Sequence, residues 1–336
     1  MMDYARLNDI LQVISDHASF LILIHDKPDG DAVGSGMALA LFLQKLDKTC
    51  AVLAPCAVPR RLAFLKKEMV TCFAGAEELR ESGFTYDCIL SVDVASDELI
   101  DRAAFAPHEI AFAIDHHRVN TLTAARKYVD PTAAAAGEIL FSLFSMYTMI
   151  TGRSDIFDKS LCEALYASIA SDTGCFKYGN TTEQSHDIAA KLFSIGIEAE
   201  EINRRLFGIK TPSQLAVERL ALSGLELFYE DRLAIVTIDL SDLEAIGAAE
   251  EDTETVSQLA RMVEGVQIGV LMREKRMPDG RTGYKFSVRS NVDTDVSELC
   301  ALFGGGGHQK AAGCTIFADH DMARERFIAE AKAFLV

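Results

Sequence analysis

The sequence predicts a parallel-sheet α/β domain over residues 1–194, a helical linker over 195–228 and a smaller α+β domain over 229–336. Three observations predict this. At 336 residues the chain exceeds what one ordinary core needs and suits two. The first part alternates short apolar runs with longer amphipathic segments, the pattern of parallel strands joined by helices. The last hundred or so residues instead place strand-like runs close together around an Asp-Gly turn, as in a hairpin.

Taken in order, FLILIH (20–25) is a continuous apolar run, as expected of a strand buried on both faces. Residues 32–46 carry apolar side chains at helical spacing, so this strand leads through a turn into a helix. CAVLA (50–54), CILSVD (88–93) and IAFAID (110–115) read as further buried strands, and residues 162–171 as an apolar helix. Residues 183–227 are helical throughout, with the charged stretch EAEEINRR. RLAIVTIDL, VQIGVLMRE and GYKFSVRS then read as strands, with MPDGRTG turning the last two into a hairpin before a glycine run and a closing helix.

Composition narrows the function. Apolar residues at 49% and charged residues at 25% describe a globular chain, not a disordered one. A formal charge of −17 is the wrong sign for gripping long duplex DNA through its phosphates. It allows a small anionic substrate if metal ions supply local positive charge. Cys50, Cys56, Cys72, Cys88, Cys162, Cys175, Cys300 and Cys314 form no CxxC pair, so neither a zinc knuckle nor a dithiol redox site is signalled. Mostly set in apolar runs, they read as reduced, buried thiols and imply a cytoplasmic compartment. MMDYARLNDILQVISDH reads as an amphipathic helix, not a signal peptide, and no apolar run reaches the roughly 20 residues that a membrane span needs.

Four segments carry metal-ligating chemistry. HDKPDGDAVGS sets His25, Asp29 and Asp31 in a loop that Pro28 and Gly30 force to be tight. Two aspartates separated by one residue can point into neighbouring metal positions there, although the same pattern can simply cap the next helix. Asp93 follows the apolar run of SVDVAS, where a cap is the plainer reading. Asp115, His116 and His117 stand together at a strand end; adjacent histidines cannot both face the core, and Asp115 can fix an imidazole tautomer. Asp172 precedes a Thr-Gly break in SDTG. His25, Asp93 and Asp115 all fall at the carboxyl ends of expected strands, where open α/β sheets bind ligands. Imidazole with carboxylates suits manganese, iron or magnesium, and a metal pair would activate a bridging water and neutralise phosphate oxygens.

In the second domain, Gly304, Gly305, Gly306 and Gly307 run into His308 in GGGGHQKAAG. Such backbone can approach an anion closely, or can be a hairpin tip. Arg289 ends the strand KFSVRS and can meet a phosphate with two donors, although most lone arginines are solvated.

In their order these segments resemble the four motifs of the DHH phosphoesterase superfamily, and GGGGHQKAAG resembles the signature of its DHH-associated domain. The resemblance spans nearly the whole chain. It is nearest to short two-domain enzymes that degrade oligoribonucleotides and pAp or cleave linear or cyclic dinucleotides. It implies two Mn2+ ions, with Mg2+ or another divalent ion as substitutes. His25, Asp29 and Asp93 would hold one; Asp31, Asp93, His116 and Asp172 would hold the second, so that Asp93 bridges. His117 would face the substrate phosphate and Asp115 would support it. Arg289, Ser290 and His308, with the backbone of Gly304 to Gly307, would hold the substrate's terminal phosphate or nucleotide across an interdomain cleft. The expected partners are short RNA oligonucleotides or mono- and dinucleotides such as pApA and cyclic di-AMP; a homodimer is left open. One departure is VDPTAAAAGEIL, where Ala134, Ala135 and Ala136 replace the Ser or Thr of the family pattern; this segment is assigned no role. The competing readings are a family II inorganic pyrophosphatase, which would lack the glycine-His element, and a catalytically silent nucleotide-binding regulator. A RecJ-like exonuclease would bring a longer, more basic chain.

Overall fold

The computed structural model describes residues 4–276 and 281–336, in two compact units, 1–209 and 210–336. The first unit runs α1 (Tyr4–Asp16), β1 (Ser19–Leu23), α2 (Gly30–Lys45), β2 (Thr49–Ala54), β3 (Thr71–Ala74), α3 (Ala76–Ser82), β4 (Cys88–Val92), β5 (Phe112–Asp115), β6 (Lys127–Val129), α4 (Ala136–Thr151), α5 (Lys159–Asp172), α6 (Glu183–Ser194) and α7 (Ala199–Asn203). Its six strands are all parallel, in the order β3-β2-β1-β4-β5-β6. This is a doubly wound arrangement whose strand order reverses between β1 and β4. Apolar residues on both faces of the central strands β1, β2, β4 and β5 make this possible. Phe20, Ile22, Leu90, Val92 and Ile114 pack into the core under α1, α2, α4, α5 and α6, while Leu21, Leu23, Ile89 and Ala113 face a second cluster.

Helix α2 is buried from Gly30 to Leu43, so its packing tolerates little change. A Cβ on Gly34 would lie 2.7 Å from the Ala164 carbonyl oxygen and 2.8 Å from the Ser168 nitrogen, both backbone atoms of α5. Glycine is therefore what lets α2 and α5 touch backbone to backbone. Gly34→Ala should push the helices apart and destabilise the protein by about 1–3 kcal/mol. A lowered denaturation midpoint at unchanged m value would register it.

The second unit holds α8 (Pro212–Ser223), β7 (Leu225–Phe228), β8 (Leu233–Ile238), α9 (Leu240–Ile246), β9 (Ile268–Arg276), β10 (Thr282–Ser290), α10 (Val296–Ala301), β11 (Gly306–His308), β12 (Ala311–Ile316) and α11 (His320–Ala331). Its sheet has the order β11-β12-β10-β9-β8-β7 and is antiparallel except for β8 with β9. One face carries Val270, Phe286, Val288 and Cys314 beneath α10 and α11; Val236 and Leu271 join Val217, Val256 and Ala260 on the other. The expected turn Met277–Gly280 lies outside the described residues, but β9 and β10 pair in hairpin register from Arg276↔Thr282.

The expected linker divides between the units. Ala199 and Ile202 are buried in the first core, whereas Val217 and Ala221 are buried in the second. The helical stretch is also not continuous. A π-turn at Arg204–Gly208 ends α7, Thr211 caps α8 ahead of Pro212, and Leu225–Phe228 is a strand. Glutamate-rich composition predicted helix well but gave no sign of these breaks. No helix among the described residues is long and apolar enough to cross a membrane.

Candidate metal centre

The carboxyl ends of β1, β4 and β5 bring three of the four motifs to one edge of the parallel sheet, beside the point where strand order reverses. Helix α5 delivers the fourth at its last residue, Asp172. His25 stands two residues beyond β1, Asp93 directly beyond β4, and Asp115 is the last residue of β5. Asp93 adopts a left-handed backbone with φ 56°, its N–H bonded to the Ile114 carbonyl, and its side chain is only 2% exposed. A non-glycine residue held in this conformation at a buried sheet edge is a strained placement of the kind that functional sites tolerate.

Asp29 serves two purposes at once. Its Oδ1 caps α2 by accepting from the N–H groups of Asp31 and Ala32 at 2.9 and 3.1 Å, and the same oxygen lies 3.8 Å from His25 Nε2. The capping and metal readings of this loop are therefore compatible. His25 Nε2 is also 3.7 Å from Asp93 Oδ2. On the other side, His116 Nε2 lies 3.5 Å from Asp31 Oδ2, 3.6 Å from Asp93 Oδ1 and 3.2 Å from Asp172 Oδ2. The ligand atoms thus sort into His25, Asp29 and Asp93; Asp31, His116 and Asp172; and Asp93, His116 and His117, each set within 4.8 Å.

The imidazoles are aimed by their other nitrogens. His25 Nδ1 donates to the Asp26 carbonyl at 2.8 Å and His116 Nδ1 to the Ala133 carbonyl at 3.3 Å, which leaves each Nε2 facing the carboxylates. His117 is also held through Nδ1, on Asp115 Oδ1 at 2.8 Å, but its ring is 40% exposed. Asp115 is itself fixed by the His116 N–H and by Asn120 Nδ2, and Asn120 by Lys127.

The electrostatics call for cations. Burial, and then the charges of Asp31, Asp29, Asp172 and Asp115, hold the Asp93 carboxyl well above the usual range. Burial and the Asp172 charge push Asp31 up to about 7, and burial raises Asp172 as well. Burial alone would lower His116, but the Asp172 carboxylate 3.2 Å away and the Asp31 charge outweigh that and carry it to about 9. Asp29 and Asp115 move down: each is buried, yet the nearby His25 imidazole and the hydrogen bond from His117 respectively prevail. Asp93 Oδ1 and His116 Nε2 are buried without a hydrogen-bond partner. Unsatisfied, mutually repelling carboxylates beside oriented imidazoles fit divalent cations, and the all-N/O donor set fits manganese or magnesium better than a thiolate-bound zinc.

Several supporting groups escaped the sequence reading. Asp31 accepts from the Ser168 hydroxyl and from the Ala136 N–H, the latter at 2.7 Å. The alanine segment thus contributes through its backbone, with the Ala133 carbonyl on His116 and the Ala136 amide on Asp31. Buried Glu138 secures it by accepting from the Ala134 N–H and the Ser185 hydroxyl, and Asn180 donates to both the Ala134 and Asp172 carbonyls. A buried Glu inside an apolar helix was a readable signal; backbone contacts of alanines leave none. Gly137 and Gly34 clear the space for Ser168, since a Cβ on Gly137 would lie 2.1 Å from its hydroxyl oxygen.

The predicted second-domain residues are distributed differently from expectation. Arg289 is half-buried and its Nη1 donates to the Val288 carbonyl. Ser290, its neighbour on the strand, points to the opposite face, is 2% exposed and ties its hydroxyl to the Val292 carbonyl at 2.7 Å. It closes a turn and does not share Arg289's face. Gly304 and Gly305 donate their N–H groups to the Ala301 and Cys300 carbonyls and so cap α10, which removes them as anion donors. Gly304 has φ 72°, and a Cβ on Gly305 would lie 2.2 Å from the Gly313 oxygen, so both glycines have structural reasons. Gly306, Gly307 and His308 form β11, with His308 opposite Ala311.

The fold and this cluster define a protein with a carboxylate–histidine site at the switch point of a doubly wound sheet. The chain belongs to the DHH family: residues 19–169 match the DHH family N-terminal domain and residues 237–336 the DHHA1 domain. It is 30% identical over 309 residues to the bifunctional oligoribonuclease and PAP phosphatase NrnA of Thermus thermophilus, covering 91% of this chain and 87% of that protein. The NrnA of Bacillus subtilis is 24% identical over 313 residues, covering 92% and 93%. An exopolyphosphatase-related protein from Bacteroides fragilis shares the fold, with a TM-score of 0.86 over 99% of this chain and 97% of that one at 22% identity.

Proposed function

We propose that this protein is a metal-dependent phosphoesterase of the cytoplasm that hydrolyses short nucleotides: oligoribonucleotides of a few residues, linear or cyclic dinucleotides, or pAp. The observation that carries the reading is Asp93, one buried carboxylate whose two oxygens face two different ligand groups. Likeness over more than nine-tenths of the chain to proteins named as oligoribonuclease and PAP phosphatase supports the substrate class. In this reading the first unit is catalytic and the second binds substrate.

His25, Asp29 and Asp93 would hold one divalent ion, and Asp31, Asp93, His116 and Asp172 the other, with manganese the preferred metal. Bound there, the ions would acidify water and neutralise phosphate oxygens. Ser168 and the Ala136 amide keep Asp31 pointed at the site. Asp115 locks His117 so that its exposed Nε2 can donate to a phosphate oxygen or to the leaving group. Arg289 and His308 would hold a substrate phosphate, whereas Ser290, Gly304 and Gly305 serve the fold. The DHHA1 match favours this reading over a pyrophosphatase, and the complete ligand set favours an enzyme over a silent regulator.

The test is kcat/KM, with Mn2+, on pAp, pApA, cyclic di-AMP, cyclic di-GMP, a five-nucleotide RNA and pyrophosphate. Turnover of at least one nucleotide, lost on chelation and restored by Mn2+, is the expected result. Turnover of pyrophosphate alone, or of nothing, would sink the reading.

A further inference from the structure

The open part of the second sheet carries two arginines side by side. Arg289 on β10 pairs directly with Gly269 on β9 and with Ala311 on β12, and Ala311 pairs in turn with His308 on β11. Residues directly opposite one another in antiparallel strands project to the same face. His308, Ala311, Arg289 and Gly269 therefore form one row across four strands. This face is opposite the core that holds Phe286, Val288, Ala312 and Cys314.

Arg261 closes the end of that row. The short helix Ala260–Met262 lies on Gly269 so closely that a Cβ there would meet the Arg261 nitrogen at 2.6 Å and its Cβ at 2.8 Å. Asn291 fixes the position by donating to the Arg261 carbonyl at 2.7 Å and to the Val266 carbonyl at 2.9 Å. Any side chain at 269 would displace this helix. With glycine there, Arg261 starts next to the strand position facing Arg289. The Arg289 guanidinium is held below its ordinary value by burial first and by the Arg261 charge second.

Neither guanidinium has an ion-pair partner among the described residues. In a chain with 50 acidic and 33 basic side chains, two adjacent half-buried arginines without a carboxylate are informative. Like charges at this spacing repel, and no carboxylate among the described residues pairs with either one to offset that. An anion with two negative charges would do so, and planar guanidinium forks match phosphate oxygens.

We infer that Arg261 and Arg289 form a paired-guanidinium site, in line with His308, that takes a dianionic terminal phosphate. Arg261 is the residue that sets the preference for a nucleotide bearing an end phosphate over one with only singly charged diester linkages. This rests on the proposal that Arg289 and His308 hold a substrate phosphate, and it adds both the residue and the charge state selected.

The experiment compares Arg261→Ala and Arg261→Lys with wild type on pApA and on the same dinucleotide without its 5′-phosphate, ApA. Arg261 makes no ion pair among the described residues, so the melting temperature should hold. For Arg261→Ala, kcat/KM on pApA should fall about 10- to 100-fold through KM, the scale of one charge-assisted contact, while ApA is unchanged. Lysine should restore it only in part, because a point charge does not reproduce the fork. A wild-type pApA-to-ApA ratio in Arg261→Ala would overturn the inference while leaving the proposed function standing. If wild type turns over neither dinucleotide, calorimetric titration in chelator with adenosine 5′-monophosphate against adenosine decides the site, while the proposed function stands or falls on the full nucleotide panel. Binding of the monophosphate alone, weakened in Arg261→Ala, supports it; equal binding by both proteins overturns it.

Discussion

Asp93→Asn is expected to fold normally and to lose on the order of 10³-fold or more in kcat with saturating Mn2+, since metal stabilisation of developing charge is worth several kcal/mol. Asparagine is the informative substitution. It keeps the side-chain volume at a position only 2% exposed, and it tolerates the left-handed backbone at φ 56° that alanine would strain. What it removes is specific. One oxygen becomes an N–H2 group, so it can no longer accept on both sides, towards His25 at 3.7 Å and towards His116 at 3.6 Å. The negative charge shared by the two ligand groups is lost as well. No neighbouring carboxylate can take over, because Asp31 and Asp172 lie on the His116 side and Asp29 on the His25 side. Turnover within tenfold of wild type, at an unchanged melting temperature, would remove Asp93 from the centre of the mechanism.

Much of this site was legible in the sequence, and the reasons are physical. His25, Asp93 and Asp115 follow continuous apolar runs, and such runs are parallel strands whose carboxyl ends converge. Periodicity alone therefore indicated convergence, although β1 stops at Leu23 and not at the histidine. The short strands Thr71–Ala74 and Lys127–Val129 escaped notice because three or four residues carry too little alternation to stand out. The resemblance pairs Ser290 with Arg289 as a substrate contact, yet adjacent residues on a strand send their side chains to opposite faces. The glycines of the 304–307 run looked like anion donors, but Gly304 and Gly305 turned out to be committed to ending α10. Arg261 could not be found by reading along the chain at all. It meets Arg289 only through a helix laid on Gly269, a contact made possible by the missing side chain.

Asp31→Asn should separate what the site needs for activity from what the fold alone prefers. Asp31 is fully buried in α2 and accepts from the Ser168 hydroxyl and the Ala136 N–H. Asparagine can keep both contacts, with its oxygen on the Ala136 amide and its N–H2 donating to a rotated Ser168 hydroxyl. Burial and the charge of Asp172 raise the Asp31 carboxyl from 3.8 to about 7, even with His116 nearby. The sign follows from the raised value. The neutral carboxyl is compatible with the fold below about pH 4, and stability falls as pH rises towards 7, because the folded state resists the ionisation that the unfolded chain undergoes freely. Near pH 7 that deficit amounts to several kcal/mol, at roughly 1.4 kcal/mol per pKa unit. Metal-free Asp31→Asn should therefore melt about 4–10 °C above metal-free wild type at pH 7, with a flatter loss of stability between pH 4 and 7. Mn2+ should then reverse the comparison. A ligand present at 100 times its Kd stabilises by about 2.7 kcal/mol, and the variant, short of one carboxylate, should gain far less of it. Its kcat should collapse with the metal response. Metal-free Asp31→Asn melting below wild type at pH 7 would show that Asp31 supports the fold, and that repulsion among the buried carboxylates does not set the metal requirement.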